Sequence, residues 1–149
     1  MNATVVAVNI SAVKGTPKTP VEAIEVRCNH GAVGDAHAGP GIRQISLLGI
    51  ESIENFKRFK QGAAGLCEGK FAENITTRGI VLWELPVGTR MRVGTALLEV
   101  SQIGKKCHAD QGCEIAKKYG ICAMPKEGIF AVVIEDGVIR AGDEIRLLS

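Results

Sequence analysis

The chain has 149 residues, 46% of them hydrophobic and 23% charged, with a net charge of +2. That is the length of one ordinary domain and the balance of a soluble globular protein, able to bury roughly 68–70% of its unfolded surface without a staple. The weak charge and an aromatic content of 4% exclude a base-stacking surface, and no apolar run approaches a membrane span, so neither nucleic acid nor membrane is an expected partner.

The many glycines point to a turn-rich, β-rich chain. Residues 4–10, TVVAVNI, are β-branched and apolar and predict a strand. No basic region precedes that run, so it reads as a strand rather than a signal peptide, and a cytoplasmic protein is expected. KGTPKTP (14–20) is a loop, because its prolines break any ladder. VEAIEV (21–26) alternates and predicts a half-buried strand. RCNHGAVGDAHAGPG (27–41) is glycine-rich and aperiodic, a long loop of the kind that often carries function. RQISLLG (43–49) is the next strand. Ile50, Ile53, Phe56 and Phe59 then fall at helical spacing, with Gly62 where a C-cap belongs. KFAENITTRGI (70–80) is a short strand and turn. Residues 85–104 predict two strands broken at Val93-Gly94, and CEIAKKYG (113–120) a short helix ended by Gly120. In residues 128–148 an Asp136-Gly137 pair between apolar runs predicts a hairpin. The fold class is therefore mostly β: one domain over 1–149, a closed or nearly closed β-barrel with two or three short helices.

Five cysteines cannot form a complete disulfide framework within one chain, and in a reducing compartment cysteines pack, ligate or react. Cys28, at a strand end, and Cys67, in a Gly/Ala-rich segment, read as small packed side chains. Cys107 differs. It follows Lys105 and Lys106 after a strand and before a candidate helix, and nearby cations stabilise the nucleophilic thiolate. Cys107, His108, Cys113 and Cys122 could instead supply four soft ligands to zinc, but their C-H-x4-C-x8-C spacing matches no paired-knuckle pattern. A Cys113–Cys122 disulfide is a third alternative. In GDAHAGPGIRQ, Asp35 and His37 are two apart and Arg43 follows. Glycines there let backbone approach a ligand, arginine offers a fork for an oxyanion or phosphate, and His37 could donate to that anion or shuttle a proton. Glu73-Asn74 alone reads as turn chemistry, and Arg78 alone as a surface charge.

Four segments in order, GDAHAGPGIRQISL, FAENITTRGI, VGTRMRVGTALLEVSQIGKKC and EGIFAVVIEDGVIRAGDEIRLL, resemble the MOSC domain, the module at the C-terminus of molybdenum cofactor sulfurases. The match runs roughly from Val5 to Leu148 and is similar to a small stand-alone member. The resemblance implies a barrel core and a cysteine, here Cys107, that handles sulfur or binds molybdenum cofactor (molybdopterin). It carries the family's G-D-x-H-x-G onto Gly34, Asp35, His37 and Gly39, its following arginine onto Arg43, and its E-N pair onto Glu73 and Asn74. Many members place a proline before the cysteine, where this chain has Lys106; further cysteines after the reactive one resemble a short subgroup.

On this reading Cys107 carries a persulfide or ligates molybdenum. His37 or His108 manages protons, and Asp35 orients His37 or braces the loop. Arg43, Lys105 and Lys106, with Glu73, Asn74 and Arg78, hold the cofactor or a small anionic ligand, and Cys113 or Cys122 is a resolving thiol. No resident metal ion beyond the cofactor is expected. A chain of this length leaves no room for a pyridoxal-phosphate desulfurase domain, so no intrinsic pyridoxal phosphate is expected. A cysteine desulfurase or a cofactor-biosynthesis enzyme is the expected partner. The alternatives are a non-catalytic molybdopterin-binding or docking module, and a reductase component acting on N-hydroxylated compounds.

Overall fold

The computed structural model describes residues 3–13, 18–59, 73–104 and 127–148. Its elements in chain order are β1 (Ala3–Ile10), β2 (Thr19–Val21), β3 (Ala23–Arg27), β4 (Gly31–Ala32), β5 (Ile45–Gly49), α1 (Ile50–Phe59), β6 (Ile75–Arg78), a 3-10 turn (Leu82–Glu84), β7 (Arg90–Val93), β8 (Ala96–Ile103), β9 (Ile129–Glu135), β10 (Gly137–Arg140) and β11 (Glu144–Leu147). Seven strands close a barrel in the order β1, β6, β5, β9, β8, β7, β11 and back to β1. Closure pairs every long strand on both sides, which removes the edges that would otherwise recruit another chain.

All neighbours in the barrel are antiparallel except β5 and β6. A parallel pair needs a crossover, and the chain between β5 and β6 begins with α1. β5 is buried along its whole length. Its Leu47 belongs to the barrel core while Leu48 points the other way, and Ile50 and Ile53 of α1 are buried as well. The Ile50/Ile53 half of the helical pattern is thus a buried stripe. The side chains of Phe56 and Phe59, Gly62, Cys67 and the helix predicted at 113–120 lie outside the described residues.

The core is aliphatic: Val5, Val8, Ile45, Leu47, Ile75, Met91, Leu98, Val100, Ile129, Val133 and Ile145 come from all seven barrel strands. Fully burying each such side chain contributes roughly 1.5–3 kcal/mol. A second antiparallel sheet, β10-β3-β4, packs Ile24, Val26, Ala32 and Ile139 onto the same cluster.

Three sequence expectations are corrected. Asp136-Gly137 is no hairpin: β9 pairs with β8 and β5, whereas β10 pairs with β3 in the other sheet. Gly137 is needed for closeness, because a Cβ there would lie 2.5 Å from the backbone nitrogen of Ala96. The chain therefore changes sheets at Asp136 instead of reversing. The 27–41 loop holds a small hairpin, β3–β4, turned by Asn29 at φ 57°. Pro20 lies inside β2, which is tolerated because β2 pairs only with β1 and forms an edge.

Candidate functional site

The strand registers gather the polar residues at one rim of the barrel. Gln102 of β8 pairs with Phe130 of β9, and Phe130 with Ser46 of β5. Leu47 beside it pairs with Ile75 of β6, and Ile75 with Val8 of β1. Past Gln102 the chain leaves the described residues at Gly104 and returns at Glu127. The two ends of that excursion are tied, since Gly104 N donates to Gly128 O at 2.7 Å.

Three groups of side chains occupy this rim. The first is buried in the wall. Asn74 Oδ1 accepts from Ser46 N at 3.0 Å and from Ser46 Oγ at 3.2 Å, while its Nδ2 donates to Asn9 O at 3.2 Å. Asn9 Nδ2 donates to Glu73 O at 3.2 Å and to Thr76 Oγ1 at 3.1 Å, and Thr76 Oγ1 donates to Glu73 Oε2 at 2.8 Å. Asn74 therefore bridges β1 and β5 across the start of β6, where the ladder would otherwise leave backbone groups unpaired. The turn reading, in which Asn74 bonds its own backbone, is replaced by contacts far away in sequence. Glu73 and Asn74 are both buried.

The second group centres on Lys18. Its Nζ lies 2.7 Å from Asp35 Oδ1, and both side chains are inaccessible, at 1% and 0% exposure. Asp35 Oδ1 also accepts from Ser11 N at 3.0 Å, and Oδ2 from the backbone N of His37 at 3.2 Å. Burial pushes the Asp35 carboxyl up, but the Lys18 hydrogen bond and charge, with the Ser11 and His37 amides, hold it below its ordinary value. The ring of His37 touches Lys18, not Asp35: Nζ to Nδ1 is 3.2 Å. Asp35 thus braces the loop and holds His37 by its backbone, and Lys18 holds the ring. His37 itself is exposed.

The third group is Arg43. Its guanidinium stacks on Phe130, 5.3 Å from the ring centroid, and its Nε donates to Gln102 Oε1 at 3.0 Å. Gln102 Nε2 in turn donates to Gly104 O at 2.8 Å. The arginine is therefore oriented by the strand that ends four residues before Cys107. Loop 35–43 joins this group to the second, anchored by Ala36 N to Ser11 O at 2.7 Å and Gly39 N to His30 O at 2.6 Å. Gly41 sits at φ 118°, a conformation that only glycine adopts without strain.

Of the sequence candidates, Asp35, His37, Arg43, Glu73 and Asn74 share this rim. Arg78 is at the far end of β6, opposite Thr4, about 10 Å along the strand from Ile75. Lys105, Lys106, Cys107, His108, Cys113 and Cys122 lie outside the described residues. Cys28 is not packed as expected but exposed. Its Sγ donates to Ile134 O at 3.1 Å, and the Asp136 carboxylate beside it raises the thiol pKa above its ordinary value. Among the described residues no cluster of His, Cys, Asp and Glu could hold a metal ion, and no helix is long and apolar enough to cross a membrane.

Sequence reasoning missed Lys18, Gln102 and the platform role of Phe130. Lys18 stood in a loop with other polar residues, where nothing in its neighbours distinguishes a buried lysine from a solvated one. The readable signal was Asp35, an acid in a glycine loop that needs a partner once buried.

Comparison with known proteins follows the same lines. A model of the MOSC domain matches residues 34–146. The Bacillus subtilis protein YflK is 26% identical over 120 residues, which cover 76% of this chain and 51% of YflK. The chain thus spans about half the length of that relative. The crystal structure of YuaD from Bacillus subtilis superposes with a TM-score of 0.78 at 19% identity, over 99% of this chain and 96% of that one. YiiM from Geobacillus stearothermophilus superposes at 0.73 with 23% identity, over 99% of this chain and 75% of its own. YiiM from Escherichia coli does so at 0.70 with 23% identity, over 100% of this chain and 70% of its own. At these identities the structural likeness shows the fold. With the family model spanning most of the chain and the barrel in place beneath it, the chain belongs to the MOSC domain family, which is linked to molybdenum cofactor binding or sulfuration.

Proposed function

We propose that this MOSC chain handles sulfur for molybdenum cofactor, with Cys107 as the thiol that carries it. The observation behind this reading is the chain of contacts Phe130–Arg43–Gln102–Gly104 O, which orients an exposed cation beside the strand leading to Cys107. A planar guanidinium held this way suits a phosphate, an oxyanion or an anionic persulfide. His37 stands exposed on the same rim.

The residues present fit the phosphate end of a molybdopterin. Arg43 is exposed, with only its Nε engaged by Gln102 among the described residues. Lys18 is unsuited to direct contact, being sealed against Asp35. Bound cofactor would supply a thiophilic metal centre; Arg43 would hold its anionic groups. Glu73 and Asn74 would act from within the wall, by fixing Ser46 and Asn9. Lys105 and Lys106 would add charge beside the thiol, and His108 a proton carrier.

In the transfer step the Cys107 thiolate attacks the terminal sulfur of a donor persulfide, R–S–SH. The donor S–S bond breaks, R–S⁻ leaves, and Cys107 becomes Cys107–S–SH. The donor is a persulfide on a partner protein, a cysteine desulfurase in the simplest case. A thiolate of Cys113 or Cys122 can then attack the inner sulfur, releasing HS⁻ and closing a disulfide. Such thiols persist reduced in a cytoplasmic setting.

The test is anaerobic incubation with a low-molecular-weight persulfide, followed by intact-mass and peptide mapping. A gain of one sulfur on Cys107, absent in Cys107→Ala, supports the carrier. A pterin mass retained in native spectra and lost on denaturation, with no sulfur gain, makes the chain a binding module instead. Sulfur on Cys107 and Cys113 alike, or on none, contradicts the assignment to Cys107.

A further inference from the structure

We infer that Lys18 is a positioning residue that fixes His37 as the neutral imidazole protonated at Nε2, so that Nδ1 is not available as a base. Lys18 Nζ meets both Asp35 Oδ1, at 2.7 Å, and His37 Nδ1, at 3.2 Å. Two nitrogens 3.2 Å apart share one proton between them. Lysine is by far the stronger base, and the buried Asp35 carboxylate holds its ammonium form. The ammonium therefore donates, and Nδ1 must accept with its lone pair. A neutral imidazole whose Nδ1 accepts carries its hydrogen on Nε2. The His37 backbone is fixed independently by its N–H to Asp35 Oδ2 at 3.2 Å, so ring and backbone are held from one buried ion pair.

The consequence deepens the proposed function and rests on it only for the role of the Cys107 thiol. His37 would not take a proton from Cys107 or from a donor thiol through Nδ1. A base for the thiol, if one is used, has to come from elsewhere in the chain.

The tautomer can be read without any ligand, so its failure and that of the sulfur-carrier reading are separate results. Long-range proton–nitrogen correlation spectra of nitrogen-15-labelled protein at neutral pH, with His37 assigned through His37→Gln, give the protonated nitrogen directly. We expect a single Nε2–H form in the native protein. The double variant Lys18→Met/Asp35→Asn removes both charges together, and there the His37 signals should move to a mixture of the two tautomers. A native His37 protonated at Nδ1 overturns the inference, whatever the variant does. So does an Nε2–H form that is equally pure in a folded double variant, because Lys18 would then not be what fixes it.

Discussion

Among the described residues the ion pairs are of two kinds. Lys18–Asp35 at the polar rim is sealed from solvent, at 1% and 0% exposure. Arg90–Glu99 on the barrel wall has the same sort of partners at 3.0 Å but 49% and 31% exposure. The two differ in what each would lose if one partner were removed. On the wall, water replaces the missing partner. At the rim nothing does, and a lone charge is left in the interior. A buried pair of this kind is a weak source of stability beside well-packed apolar residues. Its position next to His37 gives it another use, as the support of a side chain that faces solvent.

The sharpest way to break this contrast is to remove one partner from each pair. Lys18→Met leaves Asp35 uncompensated and should cost about 3–5 kcal/mol in urea unfolding. Arg90→Ala should cost about 1 kcal/mol or less. Equal losses would mean that Lys18 is not buried as described. Next in size is Asn74→Ala, which strands Ser46 N and Asn9 O in the wall. Each buried group left unpaired costs about 1–3 kcal/mol, so a change near zero would show that water reaches this rim from within.

Acid sharpens the contrast further. Asp35 has its pKa depressed in the folded state, so its contribution is present above the ordinary carboxyl pKa. It is lost as pH falls through the lower, folded value. Stability should therefore drop below about pH 4, and the neutral pair in Lys18→Met/Asp35→Asn should lessen that drop in acid-unfolding curves. An unchanged acid limb would assign the drop to other carboxylates. The smallest effect on stability belongs to Arg43→Ala, whose exposed side chain should change it by about 0.5 kcal/mol. Its effect should fall on anion binding, measured by calorimetry with sodium molybdate, and intact affinity would remove Arg43 from the site.

Much of the barrel was legible because its strands are apolar, β-branched runs separated by glycine-containing turns. Val5, Leu98, Val100 and Val133, from three of those runs, lie in the core. What misled was local chemistry that serves two purposes. Asp136-Gly137 has the composition of a tight turn, yet the glycine is there for a close approach to Ala96 and the aspartate for the Cys28 amide, at 2.6 Å. Asn74 reads as a turn residue because its short amide bonds backbone equally well near or far in sequence. Asp35, His37 and Arg43 were legible as a glycine-rich polar loop and by their resemblance to the MOSC pattern. Lys18 was not, since burial of a lysine is decided by a partner 17 residues away that only the fold brings near.

One measurement asks most directly whether the rim and the thiol segment form a single site. Cys107 is alkylated in parallel with iodoacetate, an anion, and iodoacetamide, its neutral counterpart, in native protein and in Arg43→Ala. If Arg43 serves the thiol, the native ratio of the two rates favours iodoacetate, and Arg43→Ala lowers that ratio several-fold while leaving the iodoacetamide rate nearly unchanged. A ratio that is the same in both proteins would place Cys107 beyond the reach of Arg43 and contradict a shared site.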